Sequence, residues 1–175
     1  ALLPIVQAAD YQTGPMIAVG FNTALPPRLS QDNYSPFGEE ELIIDSDGTT
    51  LLLAGGRPRG ALYAVYEFLH QLGVRWYTPQ YTKTPSLAAV LLPQHPYRYQ
   101  SPVIGRKMNS GNNATNQWRA RNRLTCNTLW APLGQEYGSS YAEGPDMHTF
   151  WRLVPKAVLD AHPDWLTEID GKRET

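Results

Sequence analysis

The chain has 175 residues, 42% of them hydrophobic and 18% charged, with a formal net charge of −1. That balance supports a folded core, excludes wholesale disorder and argues against a nucleic-acid surface, which needs a basic stripe. A single cysteine, Cys126, excludes an internal disulfide and a cysteine-built zinc site, and no apolar run approaches the ~20 residues that span a bilayer. The opening residues ALLPIVQAAD lack a basic region and meet Pro4 at once, so they do not read as an intact signal peptide.

Met16 to Phe21 (MIAVGF) reads as a buried strand, and the Pro-rich stretch LPPRLSQDNYSPFG after it is too polar and broken for regular structure. Glu39, Glu40 and Glu41 form a charge run that reads as a solvated edge before the next strand. Leu42 to Ile44 and Leu51 to Leu53 flank Asp45, Ser46, Asp47 and Gly48, a strong hairpin signal. A helix is expected from about Pro58 to Leu72, with Pro58 at its first position and Gly73 closing it. Its apolar stripe is Ala61, Val65, Phe68 and Leu72, with Leu62 and Leu69 beside it. A strand from Val74 to Tyr77 follows. Strand, hairpin, helix and strand together predict an α/β sandwich domain over residues 1–95, with the helix on one face of a sheet.

Residues 79–100 contain Pro79, Pro85, Pro93 and Pro96 and read as a connector, with a short strand at Ala88 to Leu92. Beyond it the pattern predicts a strand at Pro102 to Met108 and a helix over Asn113 to Arg123 capped by Asn112 or Asn113. A strand at Leu124 to Trp130 and a long loop from Ala131 to Pro145 come next. A short helix over Pro155 to Ala161 and a strand at Trp165 to Ile169 lead to a turn at Asp170 and Gly171. This alternation is how a (β/α)8 barrel begins, and a complete barrel takes ~250 residues. Residues 96–175 therefore read as the incomplete start of one, holding at most two units.

Two stretches carry a family resemblance. LLLAGGRPRGALYAVYEFLHQLGVRWYTP resembles the end of the N-terminal α/β domain of α-glucuronidases among the glycoside hydrolases. It is closer to a related, largely uncharacterised bacterial family with the same layout. WRARNRL (118–124), HTFWRLVP (148–155) and HPDWLTEIDGKR (162–173) are similar to segments that follow in that bacterial family. The matches span roughly residues 40 to 175. The resemblance implies an accessory α/β domain shared with β-hexosaminidases, then a TIM barrel bearing the glycosidase site. In the α-glucuronidases the catalytic carboxylates lie on later barrel strands, so the acid and base are expected beyond Thr175 and none is assigned here.

Glycoside hydrolysis normally needs two carboxyl groups, ~5–5.5 Å apart for retention and ~6.5–9.5 Å for inversion. Glu136, Glu143, Asp146, Asp160, Asp164, Glu168, Asp170 and Glu174 fall in the barrel-like half, at helix ends, loops and turns, where solvated or capping roles are the norm. Four residues are candidates for substrate binding. Arg106, after the first expected barrel strand, is placed either to grip a sugar carboxylate or to pair with a neighbouring strand. Asn127 and Trp130 close the next strand, suited to hydroxyl bonding and ring stacking or to packing at a rim. His148 opens HTFWRLVP after the long loop, where it bonds either a sugar hydroxyl or backbone. Trp76 and Tyr77 read as interface or core aromatics.

His70, His95 and His162 show no ligand spacing, so no metal is expected. GGRPRG lacks phosphate-cradle spacing, and no cofactor is expected. The acceptor pattern at Asn113 to Thr115 is adequately explained by chance. Trp and Tyr supply 15 of the 19 aromatics, a bias that suits sugar stacking as well as half-wet cores. The leading expectation is a glycoside hydrolase N-terminal region whose partners are a carbohydrate and the rest of its own barrel, with neither nucleic acid nor membrane. The alternatives are a non-catalytic carbohydrate-binding or scaffolding domain and a free-standing α/β binding protein. An extracellular or periplasmic location is favoured, as for polymer-degrading enzymes generally.

Overall fold

The computed structural model describes residues 4–11, 13–103, 105–108, 114–126, 133–138 and 153–173. They belong to two compact units, 1–141 and 142–175. In the first, short aliphatic runs form β1 (Met16–Val19), β2 (Leu42–Ser46) and β3 (Thr50–Gly55), followed by α1 (Gly60–Gln71). β4 (Arg75–Trp76) pairs only with β5 (Thr82–Lys83), while β6 (Tyr97–Tyr99) returns to the main sheet, and α2 (Asn116–Arg121) follows. The sheet order is β1-β3-β2-β6, with β1 parallel to β3 and the other neighbours antiparallel. Helix and sheet are thus mixed, as the sequence leads one to expect. β6 lies beyond residue 95, the boundary read from composition, yet belongs to this sheet.

The hairpin forms where the sequence places it. Asp47 Oδ1 accepts the backbone N–H groups of Thr49 (2.9 Å) and Thr50 (2.7 Å), and Gly48 takes φ +93°. Alternation then sorts β2 and β3 into two faces. Leu42, Ile44, Leu51 and Leu53 meet Tyr63, Ala64 and Phe68 of α1. Ile43, Leu52, Ala54 and Ala18 meet Leu29 and Tyr34 from the Pro-rich stretch, with Phe21, Leu25 and Phe37 packed around them. That stretch therefore carries two 3-10 turns, Pro27–Leu29 and Gln31–Asn33, and buries Leu29 completely. The sheet is covered on both faces, where the sequence predicts a helix on one.

Asp45 is the point at which this second cover is fastened. Its carboxylate is fully buried and accepts from Tyr34 Oη (2.6 Å), Arg28 Nη1 (2.9 Å) and Ser46 N (2.7 Å). A buried carboxylate with three donors is a satisfied one. Burial, and next the bond to Asp45, push the Tyr34 phenol up to about 12.

α1 ends as expected, in a Schellman motif: Val74 N donates to Leu69 O and Gly73 N to His70 O, both at 3.0 Å, with Gly73 at φ +96°. Its start and its face differ. The helix begins at Gly60, because residues 57–59 form a turn in which Gly60 N bonds Gly56 O at 2.7 Å. Its buried side centres on Tyr63, Ala64, Glu67 and Phe68, about one residue round from the apolar stripe, since Tyr63 and Glu67 find polar partners there.

Several local expectations are corrected. Ala88 to Leu92 is not a strand: the free edge of β2 is taken by β6, and Leu92 packs on the core without pairing. The described residues of 102–108 form no strand either. The cap of α2 is Thr115, whose Oγ1 accepts Trp118 N at 3.2 Å, and not Asn112 or Asn113, which lie outside the described residues. Of Leu124 to Trp130, residues 127–130 are likewise outside the description. The second unit holds α3 (Lys156–Ala161) and the ribbon β7 (Glu168–Ile169) with β8 (Lys172–Arg173), turning at Asp170 and Gly171. Trp165 belongs to a 3-10 turn before that ribbon rather than to a strand, and its ring stacks on His162.

Tyr34→Phe is expected to lower stability by about 1–3 kcal/mol, since it takes one donor from a buried carboxylate; urea unfolding at neutral pH measures this. The phenol's folded value lies above its ordinary 10.0, so its contribution is present below pH 10 and is lost as pH rises towards 12. The variant should therefore show a weaker loss of stability across that alkaline window.

Candidate functional site

Arg106 is the one sequence candidate inside the described residues; Asn127, Trp130 and His148 lie outside them. Its surroundings begin with the glycines after β3. Gly56 N donates to Glu41 O at 2.8 Å, so the loop after β3 lies directly on the segment before β2. A Cβ on Gly55 would sit 2.9 Å from Gly60 Cα and would collide with the Glu41 carbonyl, and a Cβ on Gly60 would meet the same oxygen. Only glycine permits that crossing. These glycines hold backbone against backbone.

The crossing turns Glu40 inward. Its backbone is left-handed, φ +55°, and its side chain is only 10% exposed. One carboxylate oxygen pairs with Arg59, the residue before α1, and the other accepts Arg106 Nη2 at 2.9 Å. The same Nη2 reaches Tyr63 Oη at 2.9 Å. Both guanidinium groups lie over the Tyr63 ring, 5.7 Å (Arg59) and 5.3 Å (Arg106) from its centroid. The remaining Arg106 donors go to backbone carbonyls, Nε to Arg123 at 2.7 Å and Nη1 to Val103 at 2.5 Å. Thr125 closes the group, accepting Arg106 N on Oγ1 and donating its own N to Arg106 O, both at 2.9 Å. One turn further along α1, Glu67 pairs with Arg123, which also has a left-handed backbone at φ +59°.

The reading of Glu39 to Glu41 as a solvated edge holds for the exposed Glu39 and is corrected for Glu40 and Glu41. Glu40 is buried between two arginines, and Glu41 bonds Arg98 Nε at 2.8 Å and Gly38 N at 2.9 Å. The hydrogen bond from Arg98 is the main cause that lowers the Glu41 carboxyl below its ordinary value. Burial raises the Tyr63 phenol, opposed by the charges of Arg59 and Arg106. Burial works against the Arg106 charge, yet the bonds to Glu40 and Tyr63 leave its value raised. Of the two roles read for Arg106, ion pair or grip on a sugar carboxylate, the structure shows an ion pair, with Glu40. Arg59 Nε is buried without a hydrogen-bond partner among the described residues.

Two other surfaces complete the picture. Tyr77 and Tyr81, 57% and 59% exposed, lie nearly parallel (12°) with centroids 6.0 Å apart. The Thr78–Tyr81 turn between them is closed by reciprocal backbone bonds of 3.2 and 3.3 Å. Trp76 is packed edge-on against Tyr66, and its carbonyl accepts Trp118 Nε1 at 2.9 Å. A cleft of about 340 Å³ opens beside the C-terminal end of α1, lined by Ile44, Phe68, Leu72, Leu87, Leu91 and Pro93 with Gln71 and Ala89. Its lining carries no acid or base. Among the described residues no cluster of His, Cys, Asp and Glu could hold a metal, and no helix is long and apolar enough to cross a membrane. In the second unit Asp160 pairs with Lys156 (2.6 Å) and Glu168 with Arg173 (3.2 Å), all well exposed.

No protein-family model, curated protein or solved structure matches this chain.

Glu40→Gln should cost about 3 kcal/mol or more, because two largely buried arginines lose their shared counter-charge. Urea unfolding checks this; a loss under ~0.5 kcal/mol would put the cluster with exposed pairs of little weight. Gly60→Ala, which in an open helix stabilises by about 0.5–1 kcal/mol, should here destabilise, because the new methyl meets the Glu41 carbonyl; thermal unfolding gives the sign.

Proposed function

We propose that this chain is the N-terminal part of a glycoside hydrolase acting on polysaccharide or oligosaccharide, with uronic-acid-bearing glycans the class to test first. Its accessory α/β domain runs through β6 (Tyr97–Tyr99), and the start of its TIM barrel follows. The order of motifs from Gly55 to Arg173 carries this reading. Two observations support a non-catalytic role for the α/β layer. Its buried carboxylates Glu40, Asp45 and Glu67 are each held by an arginine, so none is left as a general acid or nucleophile. The Glu40 cluster also joins α1 to residues 103–126 through Arg106 and Thr125. The acid and base then belong to later barrel strands, flanking the scissile bond at the spacing that hydrolysis needs.

A second reading, a carbohydrate-binding or scaffolding domain without hydrolytic capacity, is favoured by the exposed parallel pair Tyr77 and Tyr81. One experiment separates the two. The complete gene product is assayed for reducing-sugar release from glucuronoxylan oligosaccharides and aryl glycosides, with binding to the same oligosaccharides measured alongside. Hydrolysis that survives Tyr81→Ala is the expected result. Binding without hydrolysis, lost in Tyr81→Ala, would establish the second reading, and neither activity in a folded protein would remove both.

A further inference from the structure

We propose that the outer face of the β4–β5 ribbon binds an acidic polysaccharide, with Tyr77 and Tyr81 stacking on its sugar rings and Lys83 pairing with its carboxylate or sulfate groups. The register sets the two faces. Trp76 lies opposite Thr82 and Arg75 opposite Lys83, so alternation turns Trp76 one way and Lys83, with Tyr81 two residues before it, the other. The Trp76 side is inner: its ring meets Tyr66 of α1, and its carbonyl accepts Trp118 Nε1 at 2.9 Å and Asn122 Nδ2 at 3.2 Å. On the outer side Tyr81 stands roughly 6–7 Å along the strand from Lys83, and Tyr77 joins it with a ring 12° from parallel. Thr78 Oγ1 accepts the N–H groups of Gln80 (3.3 Å) and Tyr81 (3.0 Å), which fixes the turn between the two tyrosines. The rings are thus in place before a ligand arrives, so binding costs little ordering.

Charge decides the ligand. From Phe68 to Gln135 the sequence contains no Asp or Glu but eight Lys and Arg residues. Acids that precede this stretch neutralise Arg98, Arg106 and Arg123. Arg75 is turned back to the end of α1, its Nη1 donating to the carbonyls of His70 (2.6 Å) and Val74 (2.8 Å). Lys83 is exposed and has no ion pair among the described residues. The face therefore holds two exposed rings and one uncompensated cation, with no acid in its own stretch of chain to repel an anion. An acidic sugar matches both features. Its C–H face packs on a tyrosine while its anionic group reaches the ammonium, a point charge that serves carboxylate and sulfate alike. An acidic peptide would use the cation and leave the rings bare. Single-stranded nucleic acid would use the rings, yet it brings a phosphate with every base and needs a groove of cations. The inference rests on the carbohydrate reading of the tyrosine pair and does not require hydrolysis.

The test measures binding of the complete gene product, by calorimetry, to one β-glucan oligosaccharide in neutral, carboxymethylated and sulfated forms. One or both anionic forms should bind about threefold tighter or more than the neutral one, an advantage that shrinks as salt is raised. The better of the two anions names the group that the site takes. Lys83→Gln, a change at an exposed position, removes the advantage and leaves the neutral affinity unchanged, whereas Tyr81→Ala weakens binding of all three forms by about fivefold or more. Equal affinity for the three forms, lost in Tyr81→Ala, overturns this inference and leaves the carbohydrate reading standing. An anionic preference that Lys83→Gln does not alter overturns it too, since the anion is then held elsewhere. No binding by the folded protein sinks inference and reading together, and tighter binding of oligothymidylate than of any glycan makes the face a nucleic-acid site instead.

Discussion

The first unit depends on one backbone crossing, where the loop after β3 rests on the segment before β2. Three glycines make it possible, since a side chain at Gly55, Gly56 or Gly60 would strike the carbonyl of Glu41 or Gly38. The crossing fixes where α1 can begin, because Gly60 N must bond Gly56 O and Gly56 N must bond Glu41 O. It also sets Glu40 in the left-handed region, a conformation that costs a residue with a side chain about 1–2 kcal/mol. Arg59 and Arg106 offset that cost by closing on the carboxylate. Backbone contact and ion pair are therefore one device: without the glycines the carboxylate would not face inward, and without the arginines it would not stay there.

A similar solution appears on the opposite face. Residues 21–37, and the described residues of 103–126 outside α2, belong to no strand ladder that could hold them. Each is instead tied by an acid near β2: Asp45 within the strand takes Arg28 and Tyr34, and Glu40 before it takes Arg59 and Arg106. Charge-assisted bonds are about twice as strong as neutral ones and lose most when one partner is removed. Two buried carboxylates thus do for irregular segments what pairing does for strands. Arg98 on β6, bonded to Glu41, repeats the pattern at the surface.

What was legible in the sequence follows from what each signal encodes. Local signals held: the Asp-Gly hairpin, the helix of the YAVYEFL stretch and its glycine stop are set by residues within a few positions of one another. Signals about burial failed wherever a distant partner decides it. Glu40 reads as solvent-facing because its partners stand 19 and 66 residues away. Glu67 lies off the apolar stripe read for α1 yet is buried with Arg123, 56 residues on, and the buried face is rotated off that stripe. The Pro-rich stretch contains Leu29 and Tyr34 among polar residues, so no periodicity marks it as the second cover of the sheet. An alternation of apolar and polar residues says which side chains seek burial, but a charge made neutral by its partner is invisible to it.

The state of Arg106 bears on where chemistry can sit. All three of its guanidinium nitrogens are engaged, to one carboxylate, one phenol and two carbonyls. A sugar carboxylate seeking the same fork would have to displace Glu40 and leave it buried beside Arg59 alone. The Arg106 guanidinium thus ties the segment carrying Val103 and Arg123 to Glu40 and Tyr63. A rigid joint between α1 and the segment that follows is what an accessory layer needs if it is to hold a neighbouring domain steady. The part of this chain that departs most from its expected polarity, the acid at Glu40, is thus the part that fastens α1 to the segment carrying Arg106.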